Sequence, residues 1–129
     1  MLDALPLPDG FRLLVTGGRD YDDREHVFHT LDRVNAKRPI RALIHGAARG
    51  ADSLADEWAE ARLLEVWRFP AKWGEEWRGA GPKRNQAMLD IGQPHGVVAF
   101  PGGAGTADMV RRATSAGIPV MEVRHADPR

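Results

Sequence analysis

Residues 95–106 read HGVVAFPGGAGT: an apolar run, then a proline, then three glycines within four positions. A turn that only redirects the chain needs one glycine, or two, because a single residue at positive φ suffices. Gly102, Gly103 and Gly105 leave a length of main chain without side chains. Such a backbone can approach a partner closely. A helix start behind it adds unpaired N–H groups and about half a positive charge. The pattern predicts a strand over 95–100, an anion-accepting turn, and a helix over 107–117 stopped by Gly117. Thr106 stands where its hydroxyl would cap that helix or meet the same anion. The plainer alternative is a tight strand-to-helix turn with no ligand.

The same alternation runs outward along the chain. Short apolar runs at 12–16 (RLLVT), 40–45 (IRALIH), 64–70 (LEVWRFP) and 118–123 (IPVMEV) read as strands. Between them, 25–37, 53–63 and 82–92 carry apolar residues at helical spacing, with Pro82 in a first turn and Gly92 near an end. Strands alternating with such helices indicate right-handed βαβ units and a parallel sheet. Runs such as LLV and GVVAF suit strands covered on both faces. The expected fold is α/β: a three-layer α/β/α Rossmann-like sandwich with five parallel strands. The expected order, 3-2-1-4-5, follows the commonest doubly wound pattern. The chain of 129 residues reads as one domain with its core over 11–123.

Ligands of open parallel sheets bind outside the carboxyl ends of the strands, where strand order reverses. Three predicted strand ends carry unusual loops: TGGRD (16–20), HGAARGAD (45–52) and PGGAGT (101–106). The residues assigned to a nucleotide or phosphate are therefore Thr16, Gly17, Gly18, Arg19, Asp20, His45, Gly46, Arg49, Gly50, Asp52, Pro101, Gly102, Gly103, Gly105 and Thr106. Arg49 has the planar fork that clamps phosphate, or is simply solvated. Asp52 or Ser53 would cap the following helix. His45 would donate to a ligand oxygen or satisfy a loop carbonyl. In KRNQAM (83–88), Lys83 and Arg84 open a helix against its dipole, which suggests an anion nearby unless both are simply solvated. Arg84 and Asn85 join the assigned set, Asn85 for a sugar or base, or else it sits on the surface. The P-loop pattern and the G-x-G-x-x-G fingerprint are both absent. Trp58 and Trp67 are expected in the core. Trp73 and Trp77 stack on a base or pin a lid, or simply pack. His26 and His29 share a helix face without a third ligand, so no metal site is assigned.

Bulk properties narrow the classes. Eighteen Lys and Arg balance eighteen Asp and Glu, which argues against tight, sequence-blind nucleic-acid binding. The chain has no cysteine, which excludes disulfides and thiolate chemistry. The start, MLDALPLPDGF, does not read as a signal peptide, and no apolar run approaches a membrane span. A cytoplasmic protein with no nucleic-acid or membrane partner is expected.

Four motifs in order, TGGRDY (16–21), HGAARGAD (45–52), KRNQAM (83–88) and FPGGAGT (100–106), resemble the SLOG superfamily. That Rossmann-like group includes the LOG-type phosphoribohydrolases and the DNA-binding DprA proteins. The chain is most similar to the small stand-alone YpsA-related branch, formerly a domain of unknown function. The resemblance runs over about 11–123. It implies a nucleotide-derived ligand above PGGAGT and a homo-oligomer, for which Met88, Leu89 or Met109 would supply an interface if they are not core. In LOG enzymes the motif continues to a glutamate that works with an arginine of the preceding helix. Arg84 matches the arginine and is the one catalytic candidate. The glutamate position holds Met109, which disfavours LOG-like phosphoribohydrolase activity. Binding by a sensor or ligand-sequestering domain is the leading expectation. Hydrolysis of an N-glycosidic or phosphate bond would need another acid, Asp20, Asp22 or Asp52. A structural protein with vestigial loops is the third class.

Overall fold

A computed structural model describes residues 9–72 and 79–126. Trp73 and Trp77 lie outside the described residues. The elements are β1 (Phe11–Thr16), α1 (Arg24–Lys37), β2 (Ile40–His45), α2 (Ala51–Ala61), β3 (Glu65–Arg68), α3 (Ala80–Asp90), β4 (Gly96–Ala99), α4 (Ala104–Ser115) and β5 (Val120–Glu122). All strand pairings are parallel and the order is β3-β2-β1-β4-β5, as the sequence pattern predicts.

Period-two alternation in the central strands builds two cores. Leu13, Val15, Leu43 and Val98 face α1 and α2, where they meet Val27, Leu31, Ala55, Trp58 and Ala59. Leu14, Ile44 and Val97 face α3 and α4, where they meet Met88, Leu89, Met109 and Ala113. The result is the three-layer α/β/α sandwich. The chain winds outward from β1 through β2 to β3, then returns to β4 on the other side of β1. Helices of the two halves therefore cover opposite faces, and a crevice opens beyond the carboxyl ends of β1 and β4.

Met88, Leu89 and Met109 are 2%, 6% and 0% exposed, so they are core and supply no surface for another subunit. Trp58 is fully buried as expected, but Trp67 is only half-buried. It lies on the edge strand β3, and its indole N–H donates to Glu65 Oε2 at 2.5 Å. Both edge strands are shorter than their apolar runs, because pairing on one side holds fewer residues in register.

Asp32 of α1 joins the first two helices. It accepts from the indole Nε1 of Trp58 at 2.8 Å and from Arg62 Nε and NH2 at 2.9 and 2.8 Å. The Arg62 hydrogen bonds hold its carboxyl below the usual carboxylate range. Asp32→Ala leaves the Trp58 N–H buried without an acceptor and should lower unfolding free energy by about 1–3 kcal/mol. The check is urea denaturation beside Arg62→Ala, which should cost clearly less.

Candidate functional site

The three glycine-bearing loops touch one another through main chain. Gly18 N–H donates to Pro101 O at 2.9 Å, and Gly18 O accepts from Ala51 N at 3.1 Å and Tyr21 N at 3.2 Å. A Cβ on Gly17 would lie 2.5 Å from Ala51 Cβ, and one on Gly18 would lie 2.9 Å from Pro101 O. At Gly50, with φ of +78°, a Cβ would strike the Gly18 and Arg19 carbonyls; at Gly102 it would strike Thr106 Oγ1 and the backbone of Gly17 and Gly18. These four glycines are needed because the protein's own chain comes close. At Gly103 and Gly105 a Cβ meets nothing within 4 Å. The quoted motif thus contains two kinds of glycine, one holding the loops together and one opening onto space.

That space is a cleft of about 570 Å³, within the usual size of a small-molecule site. Thr16, Gly17, Gly18, Arg19, Asp52, Arg84, Asn85, Gly103, Gly105 and Thr106 line it. The helix α4 begins at Ala104, three residues before the predicted start, with Gly103 as N-cap and no side-chain cap. Gly105 and Thr106 are therefore in its first turn. Thr106 does not cap it; its hydroxyl folds back toward Gly102. The first helical bond runs from Ala107 N to Gly103 O at 3.0 Å, so the N–H groups of the first turn have no intrahelical acceptor.

Two buried polar side chains shape this cleft. Asp52, 6% exposed, lies in the first turn of α2, whose N-cap is Gly50 rather than Asp52 or Ser53. Its Oδ2 accepts from Gly46 N at 3.0 Å and Ala48 N at 3.3 Å, which folds HGAARGAD back on itself. Burial pushes its carboxyl above the usual range, against the opposing pull of His45, the Ala48 N–H, Arg84 and the Gly46 N–H. Asn85, 3% exposed, accepts from Arg84 Nε at 3.0 Å and donates to Gly105 O at 3.2 Å and Asp108 Oδ2 at 2.9 Å. Its polar atoms are thus spent tying α3 to the start of α4, not left for a sugar or base.

Arg84 fits into a gap left by Gly46, where a Cβ would sit 2.5 Å from its NH1. That NH1 donates to Gly46 O. Burial lowers the Arg84 pKa, Asp52 opposes the shift, and the charge of Arg19 adds to it.

Other assigned residues stand outside the cleft. His45 is 2% exposed: its Nδ1 accepts from Ala47 N at 2.9 Å and its Nε2 meets Asp56 Oδ2 at 2.5 Å. The first contact places the ring proton on Nε2, so neither nitrogen is left for a ligand. Instead His45 holds Ala47 at φ of +57°. Asp56 is in turn gripped by Arg68, whose hydrogen bonds, with His45, bring its carboxyl down to about 2 despite partial burial. Arg49 and Asp20 form an exposed ion pair at 3.1 Å. Gly46 and Arg49 face an adjoining cavity, and Asp20, Pro101 and Gly102 face another on the far side of the loop junction.

Asp108 and Arg111, which are not among the residues assigned from the sequence, also line the cleft. Gly105, Asp108 and Arg111 recur every three residues, which is the signal that would have found them. Burial raises the Asp108 carboxyl, but hydrogen bonds from Arg112 and Asn85 and the charges of Arg112 and Arg111 bring it below the ordinary range. Met109, beside it, points into the core.

Comparison with known proteins agrees with this architecture. Residues 11–75 match the model of the YspA, cpYpsA-related SLOG family. The chain is 38% identical over 120 residues to the Gene 61 protein of Mycobacterium phage D29, an alignment covering 85% of this chain and 94% of that protein. The chain belongs to the YspA, cpYpsA-related SLOG family, a Rossmann-like group.

The two kinds of glycine make a direct prediction. Gly17→Ala should destabilise the fold by roughly 1–3 kcal/mol through overpacking against Ala51 and Phe100. Gly105→Ala should be neutral or stabilise it by up to about 1 kcal/mol, because alanine is the better helix former. Urea unfolding midpoints of the two variants decide the matter; equal losses would mean the distinction is wrong.

Proposed function

We propose that this protein binds a nucleotide or nucleotide-derived ligand, with an anionic group over the first turn of α4, and acts in the cytosol as a sensor or ligand-sequestering domain. The observation that carries the reading is the side-chain-free, uncapped start of α4 opening onto the cleft. Gly103 and Gly105 leave room above it, and its unpaired N–H groups with the helix dipole favour negative charge there. Arg84 and Arg111 add positive charge along the walls. The formal neutrality of the chain is compatible with one local anion site.

The test uses thermal shift with nucleoside mono-, di- and triphosphates, ADP-ribose, NAD and cyclic dinucleotides. A ligand at a hundred times its dissociation constant should add about 2.7 kcal/mol of stability. Gly105→Asp places a carboxylate at the anion position. It should keep or raise the melting temperature of the free protein, since an acidic residue suits a helix start, yet abolish the ligand-induced rise. Survival of that rise would remove α4 from the site.

One observation favours a second reading, hydrolysis of an N-glycosidic or phosphate bond of the same ligand. Among the acids considered, Asp52 alone combines burial, a raised pKa and a place on the cleft wall; Asp20 is 93% exposed and paired with Arg49. Protonated Asp52 would give its proton to the leaving nitrogen or oxygen as the bond breaks. Water would add to the other fragment and return a proton to the carboxylate. Turnover on this route falls as pH rises through the Asp52 pKa, because the acid form is lost. Asp52→Asn should reduce release of product, followed by chromatography, by about 10²- to 10⁴-fold. Undiminished release would exclude Asp52 as the acid.

A further inference from the structure

A second cavity, of about 330 Å³, adjoins the cleft and shares Arg19, Ala48 and Arg84 with it. Its charged lining residues among the described residues are arginines: Arg19, Arg49 and Arg84. The rest of its wall is mainly the backbone loop Gly46–Ala48 and Pro70. Its partners are arranged as an anion site requires. Arg84 is oriented by NH1 on Gly46 O and Nε on Asn85 Oδ1, while its NH2 makes no hydrogen bond among the described residues. Arg19 adds a third guanidinium to the same wall. Three guanidinium groups converging on one cavity can meet a single anion with several charge-assisted hydrogen bonds. Arg49 is 74% exposed and, among the described residues, is held by the exposed Asp20, a pairing that solvent makes weak and exchangeable.

We propose that this cavity is a second anion subsite, so that the ligand carries two separated anionic groups. One sits over the first turn of α4 and the other among Arg19, Arg49 and Arg84, with the molecule crossing the ridge formed by Arg19 and Arg84. The ligand class is then a nucleotide derivative with a second phosphate group, and a nucleoside monophosphate fills only half of the site. The inference rests on the α4 reading above, but it is separable from it by experiment.

The ¹⁵N-labelled protein is titrated with inorganic phosphate at mildly acidic pH, where arginine Nε–H signals exchange slowly. Two sets of signals should move with different saturation: the backbone N–H groups of Ala104, Gly105 and Thr106, and the Nε–H groups of Arg49 and Arg84. Arg49→Gln should weaken phosphate at the second set by about tenfold, since a charge-assisted contact is lost, and leave the α4 set within about twofold. Asp20→Asn, which releases Arg49, should strengthen the second set by about twofold. Movement of the α4 amides alone would overturn the second subsite and leave the α4 reading intact. Equal weakening of both sets by Arg49→Gln would also overturn it, by making the two cavities one site. Silence of both sets would overturn both readings.

Discussion

Gly18 gives its N–H to Pro101 and takes the N–H groups of Ala51 and Tyr21 on its carbonyl. Through this one residue, the loop after β1 is joined to the loop after β4 and to the start of α2. Parallel strands leave their carboxyl ends unpaired, and three loops leaving the same sheet edge must satisfy their own backbone groups. Here they do so against one another, at separations that exclude side chains at Gly17, Gly18, Gly50 and Gly102. The cleft exists because this junction fixes where α2 and α4 begin. If the loops were spread by one side chain, the amides at the start of α4 would no longer share a wall with Asp52 and Arg84.

Buried polar groups extend the same constraint. Asp52 and His45 hold the loop after β2 from within, and Asn85 ties α3 to Gly105 and Asp108. Each is 6% exposed or less, so an unpaired donor or acceptor there would be costly. His45 and Asn85 suit a rigid cleft wall better than they suit direct ligand contacts, whereas Asp52 uses only its Oδ2 in the hydrogen bonds that fold the loop. The charged groups with atoms still open, Arg84 and Asp52, lie on the wall between the cleft and the loop after β2. A neutral chain thus presents a locally polarised surface, with amide donors and arginines on one side and a buried carboxyl on the other.

The fold was legible because each layer imposes a period that sequence displays. Leu13, Leu14 and Val15 are all apolar because β1 is covered on both faces, and only a parallel sheet between helix layers asks for that. The strand ends that make the cleft were legible as glycine clusters. The division of labour among those glycines was not, since whether Gly102 meets Gly18 or a ligand depends on a loop more than eighty residues away in the chain. His45 illustrates the same limit. A histidine at a strand's carboxyl end reads as a ligand contact, but Asp56 on α2, already gripped by Arg68, takes one ring nitrogen and Ala47 takes the other. The early start of α4 was hidden by its composition: Gly105 reads as loop, whereas in the fold it lies in the first helical turn, with open space where a side chain would be.

Met109 bears on what chemistry the family framework supports in this chain. It is fully buried among Leu14, Ile44, Met88 and Val97, in the core beneath α4. A glutamate at 109 in this packing would start from an apolar environment and have to displace that core to reach the cleft. The position is therefore committed to holding α4 on the sheet. Its neighbour Asp108 does face the cleft, but the Arg112 and Asn85 hydrogen bonds keep it ionised and fixed. Asp52, with a raised pKa and its Oδ1 without a protein partner among the described residues, is the carboxyl on the cleft wall best placed to change its proton state. Two carboxylates driven in opposite directions across one cavity are the usual way a site separates an acid from a fixed charge. On the proposed hydrolytic reading, proton transfer would fall to the loop after β2 and the start of α2, not to the helix that carries the PGGAGT glycines.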